Sequence, residues 1–300
     1  MSDQTPDILT QLSAAVAARS TAAAPLVASL HAARGRIRSA TLWRPDVAIA
    51  SEQVLPRGDT AELVLADGRH VAAQVAGRDR GTNIAALRLP TPVEIAPPIL
   101  GEAQLGGLVL TLAADAAGAP LVRLAVVRGL GPAWHSLAGG RIDRRILLDL
   151  AVSRREEGGP VFDATGRLLG ISTGGPGGRA LVIPAATIER VVPALLAQGR
   201  IDRGWLGAAL HPVLLPDAVK AGGQERGLMV MRVAPDGPAG KAGVIPGDIL
   251  LALDGAAAAR PTEIARRLGP ESVGRQVELR LLRAGAVQTL AVSITPRPPQ

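Results

Sequence analysis

The chain has 300 residues, enough for two medium domains that each bury a core. It contains no cysteine, which excludes disulfides and thiolate zinc sites; His31, His70, His135 and His211 lie far apart without metal-ligand spacing, so no metal and no other cofactor is expected. The net charge of +7 is carried almost wholly by arginine, but the arginines are interleaved with acids and only Trp43, Trp134, Trp205 and Phe162 are aromatic, too few for base stacking, so no nucleic-acid partner is expected.

The first four residues, Met1-Ser2-Asp3-Gln4, open no basic and apolar leader, and no apolar run approaches the ~20 residues of a membrane span. A cytoplasmic location is the expectation, or a periplasmic one if the sequence is a mature form. Residues 5 to about 30 read as helical: Thr5 caps, Pro6 suits the first turn, and Ile8, Leu9, Leu12, Ala15 and Val16 recur at helical spacing. Pro25 interrupts the pattern, so two short helices are expected.

From about 36 to 182 short strands alternate with Gly and Pro. Asp67-Gly68 and Thr165-Gly166 each sit between two apolar runs, a hairpin signature, and the series suggests a β-barrel or sandwich. Pro184 to Gln198 returns to helical spacing, with Ile188, Val191, Val192, Leu195 and Leu196 as the apolar stripe and Gly199 as the stop. The run Gly174-Gly175-Pro176-Gly177-Gly178 lacks the lysine, hydroxyl and following helix of a phosphate loop and reads as a surface loop. A second unit beginning near Arg203 has short strands, a helix around Pro261 to Leu268 and a hairpin turning at Ala284-Gly285.

Several segments, in order, carry a family resemblance. Ala50-Ser51-Glu52-Gln53-Val54-Leu55, Gly77 to Ala85, Asp149-Leu150-Ala151-Val152, Gly158-Gly159-Pro160-Val161 and Gly166 to Ile171 resemble the HtrA/Deg-type trypsin-like serine proteases, and Arg203-Gly204-Trp205-Leu206-Gly207, Ala242 to Leu250 and Leu253-Asp254-Gly255 resemble the PDZ domain that follows in that family. The resemblance covers residues 36 to 296. It implies a chymotrypsin-like double β-barrel over 36–199 and a PDZ domain over 200–300, and with the N-terminal helical segment over 1–35 the chain reads as a mainly β protein.

The family pattern puts histidine, aspartate and serine where this chain has Gln53, Asn83 and Glu157. Acyl transfer needs a hydroxyl activated by a base that takes a proton near neutral pH; a glutamine amide does not, Asn83 has no charge to steady an imidazolium, and Glu157 has no hydroxyl. The expectation is therefore an inactive protease homologue, without catalytic residues, that acts as a peptide- or protein-binding scaffold or regulator. The alternative is an active serine-type endopeptidase using unrecognised residues; Ser136 beside His135 and Ser153 near Asp149 are the tempting pairs. Glu157 either pairs with Arg155 or faces water, or its carboxylate folds into the oxyanion hole that the resemblance places in this turn. Glu156 and Glu157 likewise read as local ion pairs with Arg154 and Arg155, or as paired acids.

By the same resemblance Trp205, Leu206, Gly207 and Ala208 form a carboxylate loop and the start of an edge strand. Arg203 adds a charge, and Ile264 and Leu268, one helical turn apart, either line the side-chain pocket or pack in the core. C-terminal peptides or protein clients are the implied partners, and a homotrimer the implied assembly.

Overall fold

The computed structural model describes residues 7–32, 35–217, 220 and 223–298. Helix α1 spans Ile8–Ala23 and is capped by Asp7, whose Oδ1 accepts from the Leu9 and Thr10 amides. The expected cap at Thr5 and first turn at Pro6 lie outside the described residues. The expected second helix is absent: Ala24–Leu26 make one 3₁₀ turn, and the chain then enters strand β1, Val27–Ala32. Helical spacing lost here to long-range pairing. β1 has ladder partners on both sides, and Val27, Ala28 and Leu30 are fully buried, which a lone helix turn does not offer.

β1 pairs with β2 (Arg36–Arg44), followed by β3 (Val47–Ser51), β4 (Thr60–Leu65), β5 (His70–Asp79) and β6 (Ile84–Arg88). They close into a barrel in the order β1-β2-β3-β6-β5-β4. The first barrel thus begins at Val27, inside the stretch read as N-terminal helix. A second barrel uses β7 (Leu108–Ala114), β8 (Pro120–Gly131), β11 (Arg145–Ala151), β12 (Pro160–Asp163), β13 (Leu168–Gly174) and β14 (Arg179–Pro184), closed in the order β11-β14-β13-β12-β7-β8. Between β8 and β11 lies a small pair, β9 (Trp134–His135) and β10 (Arg141–Ile142). Closure leaves neither barrel an open edge.

Alternation sorts the side chains. In β3, Ala48 and Ala50 fill the first barrel, while Val47 and Ile49 join Leu110, Leu112, Phe162 and Ile171 in the core shared by the two barrels. All five β3 residues are therefore buried, and its sequence shows no polar face. Helix α2, Ala185–Gln198, adds Ile188, Val191, Val192 and Leu195 to that shared core and ends at Gly199 in the left-handed region (φ +75). Val16 of α1 packs on the same core, while Ile8 and Leu9 are exposed. Both barrels and α2 belong to one compact unit, formed by residues up to Ser136 with Arg141–Ile201.

The second compact unit comprises Leu137–Gly140 and the residues from Asp202 onward. Its elements are β15 (Gly204–Trp205), β16 (Ala208–Leu214), β17 (Arg226–Val233), α3 (Pro238–Lys241), β18 (Ile249–Leu253), β19 (Ala256–Ala257), α4 (Pro261–Arg267), β20 (Gln276–Arg283), β21 (Ala286–Ser293) and β22 (Thr295–Pro296). The sheet order is β16-β17-β18-β20-β21, so β16 stands at an edge. Its core gathers Leu228, Val230, Leu250, Leu279 and Val292. Ala284 (φ +46) and Gly285 (φ +82) both take left-handed backbone at the β20–β21 turn, as a tight two-residue hairpin requires. Among the described residues no helix is long and apolar enough to cross a membrane.

Candidate functional site

The three residues that the resemblance puts at catalytic positions meet at the seam between the barrels. Gln53 sits in the 3₁₀ turn after β3, Asn83 in the β5–β6 turn, and Glu157 in the turn between β11 and β12. The β5–β6 turn is organised by Asp79, whose carboxylate accepts from the Gly81 and Thr82 amides and the Thr82 hydroxyl. That turn delivers Asn83 at φ +59, a conformation asparagine tolerates better than most residues.

Asn83 Oδ1 accepts from the Gln53 amide at 2.9 Å and from Ser51 Oγ at 3.1 Å, and its Nδ2 donates to Thr173 Oγ1 at 2.8 Å. Gln53 Nε2 donates to Glu157 Oε2 at 2.5 Å and to Thr173 Oγ1 at 3.0 Å. Thr173 Oγ1 stands 3.5 Å from Glu157 Oε2 and so contacts all three residues. Thr173 was not foreseen from the sequence. The available signal was Ser172-Thr173, two adjacent hydroxyls closing the apolar strand Leu168 to Ile171, both now buried.

Glu157 does not behave as a local acid. It is 6 % exposed, and its carboxylate is held by Gln53 and Thr173 rather than by Arg155 or water. Nor does it fill an amide-lined hole: among the described residues the carboxylate's hydrogen-bond partners are side chains, and the Gly158 and Gly159 amides donate to the Ser172 and Glu156 carbonyls. Glu156 turns elsewhere, pairing with Arg123 at 2.8 Å and accepting from the Ser153 amide. Burial alone would raise its pKa; the Arg123 and Ser153 contacts outweigh that and hold it below the ordinary carboxylate range. The two glutamates are thus neither paired acids nor partners of Arg154 and Arg155. Ser136 Oγ donates to the Gly81 carbonyl at 2.6 Å, Asp149 accepts from the Val126 amide, and the Ser153 amide donates to Glu156.

In the second unit Leu206, Ile264 and Leu268 are buried in its core, with Ala208 packed against them. Gly207 takes φ +80, and its carbonyl and that of Leu206 accept from the Ala234 and Ala239 amides. Trp205 pairs with Thr295, and the Arg203 carbonyl accepts from the Arg297 amide. Arg203, Trp205, Leu206, Gly207 and Ala208 therefore form one continuous segment leading into edge strand β16, with α4 packed nearby.

Two six-stranded barrels with a polar cluster at their seam, followed by a sheet whose free edge begins at a glycine loop, define a trypsin-like peptidase fold joined to a PDZ unit. Comparison with known families agrees: the trypsin-like peptidase domain matches residues 38–171 and the PDZ domain residues 212–294. A probable periplasmic serine endoprotease DegP-like of Brucella suis is 30 % identical over 261 residues, covering 83 % of this chain and 50 % of the relative. The protein of the same name in Rhizobium meliloti is 29 % identical over 258 residues, covering 82 % and 50 %. This chain spans about half the length of these curated relatives. Among solved structures, the HtrA-type protease AlgW with tripeptide superposes with a TM-score of 0.70 at 26 % identity, covering 95 % of this chain and 98 % of that one. A serine endoprotease from Yersinia pestis shares the fold, with a TM-score of 0.73 at 21 % identity over 98 % of this chain and all of its own.

The chain has the fold of the HtrA-type proteases, a trypsin-like peptidase domain followed by a PDZ domain. Two expectations are corrected by these findings. The inactive-homologue reading is overturned, because the relatives are named serine endoproteases and the matched domain is a peptidase domain. The cytoplasmic location lacks support, because the same relatives are named periplasmic.

Proposed function

We propose that this chain is a periplasmic endopeptidase of the HtrA class that recruits polypeptides by their C-termini through its PDZ unit, over a protease region that takes in β1 and runs from Val27 to 199, and a PDZ region 200–300. The observation that carries the reading is the edge strand β16: it pairs with β17 on one side only, it follows the Gly207 loop, and α4 flanks it. An extended peptide adds to such an edge by main-chain hydrogen bonds, with specificity from the side chains it buries. Pro212 inside β16 removes one donor, which limits the length of added strand. Exposed Ile8 and Leu9 of α1 give the homotrimer implied by the resemblance an apolar contact surface.

In this reading Gln53, Asn83 and Glu157 occupy the family's catalytic positions, so hydrolysis runs through another hydroxyl. Thr173 is the hydroxyl at the seam that stands beside Glu157, 3.5 Å from its carboxylate. Its Oγ1 attacks the peptide carbonyl as Glu157 takes its proton; the proton then passes to the leaving amine, and water hydrolyses the ester. A carboxylate is a far weaker base than imidazole, and Thr173 is buried, so turnover is expected roughly 10²–10⁴-fold below an imidazole-driven site.

Two measurements on the full chain test the parts separately. Fluorescent peptides with an apolar last residue should bind with micromolar affinity (about −8 kcal/mol) when the C-terminus is free, and at least about tenfold more weakly when it is amidated. Equal binding of both forms removes the PDZ assignment. Long incubation with casein should give slow cleavage that Thr173→Val abolishes. Cleavage unchanged in the variant removes Thr173, and uncleaved casein with the parent protein removes the peptidase.

A further inference from the structure

We propose that Arg38, with Arg36 and Arg154, forms a subsite beside the Glu157 turn that recognises an acidic side chain of a bound polypeptide. This rests on the reading of the chain as a polypeptide-binding HtrA-type protein and adds a preference that the reading does not contain.

The placement follows from β2. Arg36 and Arg38 are two residues apart on one strand and so share a face. The next residue, Ser39, is clamped to the turn that carries Glu157: its amide donates to the Glu157 carbonyl at 3.3 Å, and its hydroxyl donates to the Arg155 carbonyl at 2.8 Å. Arg38 is therefore one residue from the turn, and Arg154 belongs to that turn. The guanidinium of Arg38 is partly withdrawn from water. One of its nitrogens donates to the Ile37 carbonyl at 2.8 Å, while Nε is buried with no hydrogen-bond partner among the described residues. A buried unpaired donor on a cation is unfavourable, and an incoming carboxylate would relieve it.

The charge around it is unbalanced. Among the described residues, none of Arg36, Arg38, Arg154 and Arg155 makes an ion pair, whereas Arg69, Arg123, Arg141, Arg190 and Arg283 all do. Burial lowers the Arg38 pKa most, the Arg154 and Arg36 charges lower it further, and Glu157 alone opposes them. That carboxylate is already engaged by Gln53 and Thr173, and Glu156 is engaged by Arg123. Three guanidinium groups near one committed acid leave the seam beside Glu157 positive, and a carboxylate meets a fork of donors there. Peptide is favoured over nucleic acid because the cluster adjoins a peptidase-type seam and the chain offers only Trp43, Trp134, Trp205 and Phe162 for base stacking.

The test uses full-length protein and fluorescein-labelled decapeptides with amidated C-termini, so that capture of a terminal carboxylate does not contribute. The peptides differ only at a central pair of residues, Glu-Glu, Gln-Gln or Lys-Lys. The Glu-Glu peptide should bind at least about tenfold more tightly than Gln-Gln, with an advantage that shrinks as salt rises. Arg38→Gln should erase the difference, Arg154→Gln should reduce it, and Arg280→Gln on the PDZ unit should leave it unchanged. Arg154 is exposed in a turn, so its variant keeps the test valid if Arg38→Gln fails to fold. Equal affinity of the parent protein for the Glu-Glu and Gln-Gln peptides overturns the subsite, even where free C-termini still bind the PDZ unit. Retention of single-stranded DNA that Arg38→Gln abolishes, without peptide discrimination, would reassign the cluster to phosphate.

Discussion

Replacing Gly158 by alanine should destabilise the double barrel by about 3 kcal/mol or more, a fall of roughly 6–12 °C in thermal midpoint for a unit of this size. The glycine has φ +90, and a Cβ there would lie 2.3 Å from the Ser39 carbonyl oxygen and 3.1 Å from the Ser51 amide nitrogen. The neighbouring backbone has little freedom to retreat. The Gly158 amide donates to the Ser172 carbonyl at 2.8 Å, its own carbonyl accepts from Thr41 Oγ1 at 2.8 Å, and Ser39 is tied to the same turn. Barrel one and barrel two thus grip this peptide from opposite sides. Gly68→Ala provides the comparison. Gly68 has φ +82 with no atom within 4 Å of the added carbon, so it should cost only the conformational strain, roughly 1–2 kcal/mol. Differential scanning calorimetry of both variants checks this, and equal midpoints would show that the seam yields more readily than its hydrogen bonds imply.

The second large effect is expected in the PDZ unit. Asp248 is 1 % exposed and accepts from Arg283 Nε and Nη2 at 2.7 Å each and from the Ile245 amide at 2.9 Å. Arg283 also donates to the Gly243 carbonyl, so the pair fastens the 243–248 turn to β20. Asp248→Asn should cost roughly 1–3 kcal/mol, because it removes the charge from a buried hydrogen-bonded carboxylate while the partly exposed Arg283 it leaves can turn to water. Burial alone would raise the Asp248 pKa; the Arg283 hydrogen bonds and charge and the Ile245 amide outweigh that and hold it below the ordinary range. A depressed folded-state pKa stabilises above the unfolded value of about 4, and the contribution disappears as pH falls through the folded value. The parent unit should therefore lose midpoint between about pH 5 and 2, while the variant starts lower at neutral pH and loses less over that window. Thermal unfolding of the full chain at several pH values reads both; parallel curves for parent and variant would remove the ion pair as the cause.

Much of the architecture is encoded locally. Asp67-Gly68, Thr165-Gly166 and Ala284-Gly285 specify hairpins because few residues accept the positive φ that these turns require. Gly199 ends α2 for the same reason, and the apolar spacing from Ile188 to Leu195 selects the face that α2 buries. The ordered motifs from Ala50 to Ile171 and from Arg203 to Gly255 are enough to mark the family, and Gln53, Asn83 and Glu157 are brought together as their order implied.

What each of those three touches was decided only in three dimensions. Arg154 and Arg155 are near neighbours of Glu157 in the chain, yet the partner it takes is Gln53, 104 residues away, and Thr173 enters from a third segment. Val27 to Leu30 fall in the stretch read as helical, yet two ladders and the full burial of Val27, Ala28, Ser29 and Leu30 make them part of a strand. The division has one physical cause. A turn or a cap is settled by the dihedral preferences and hydrogen bonds of a few adjacent residues, whereas barrel closure and the fate of a buried carboxylate depend on partners that only the completed fold supplies.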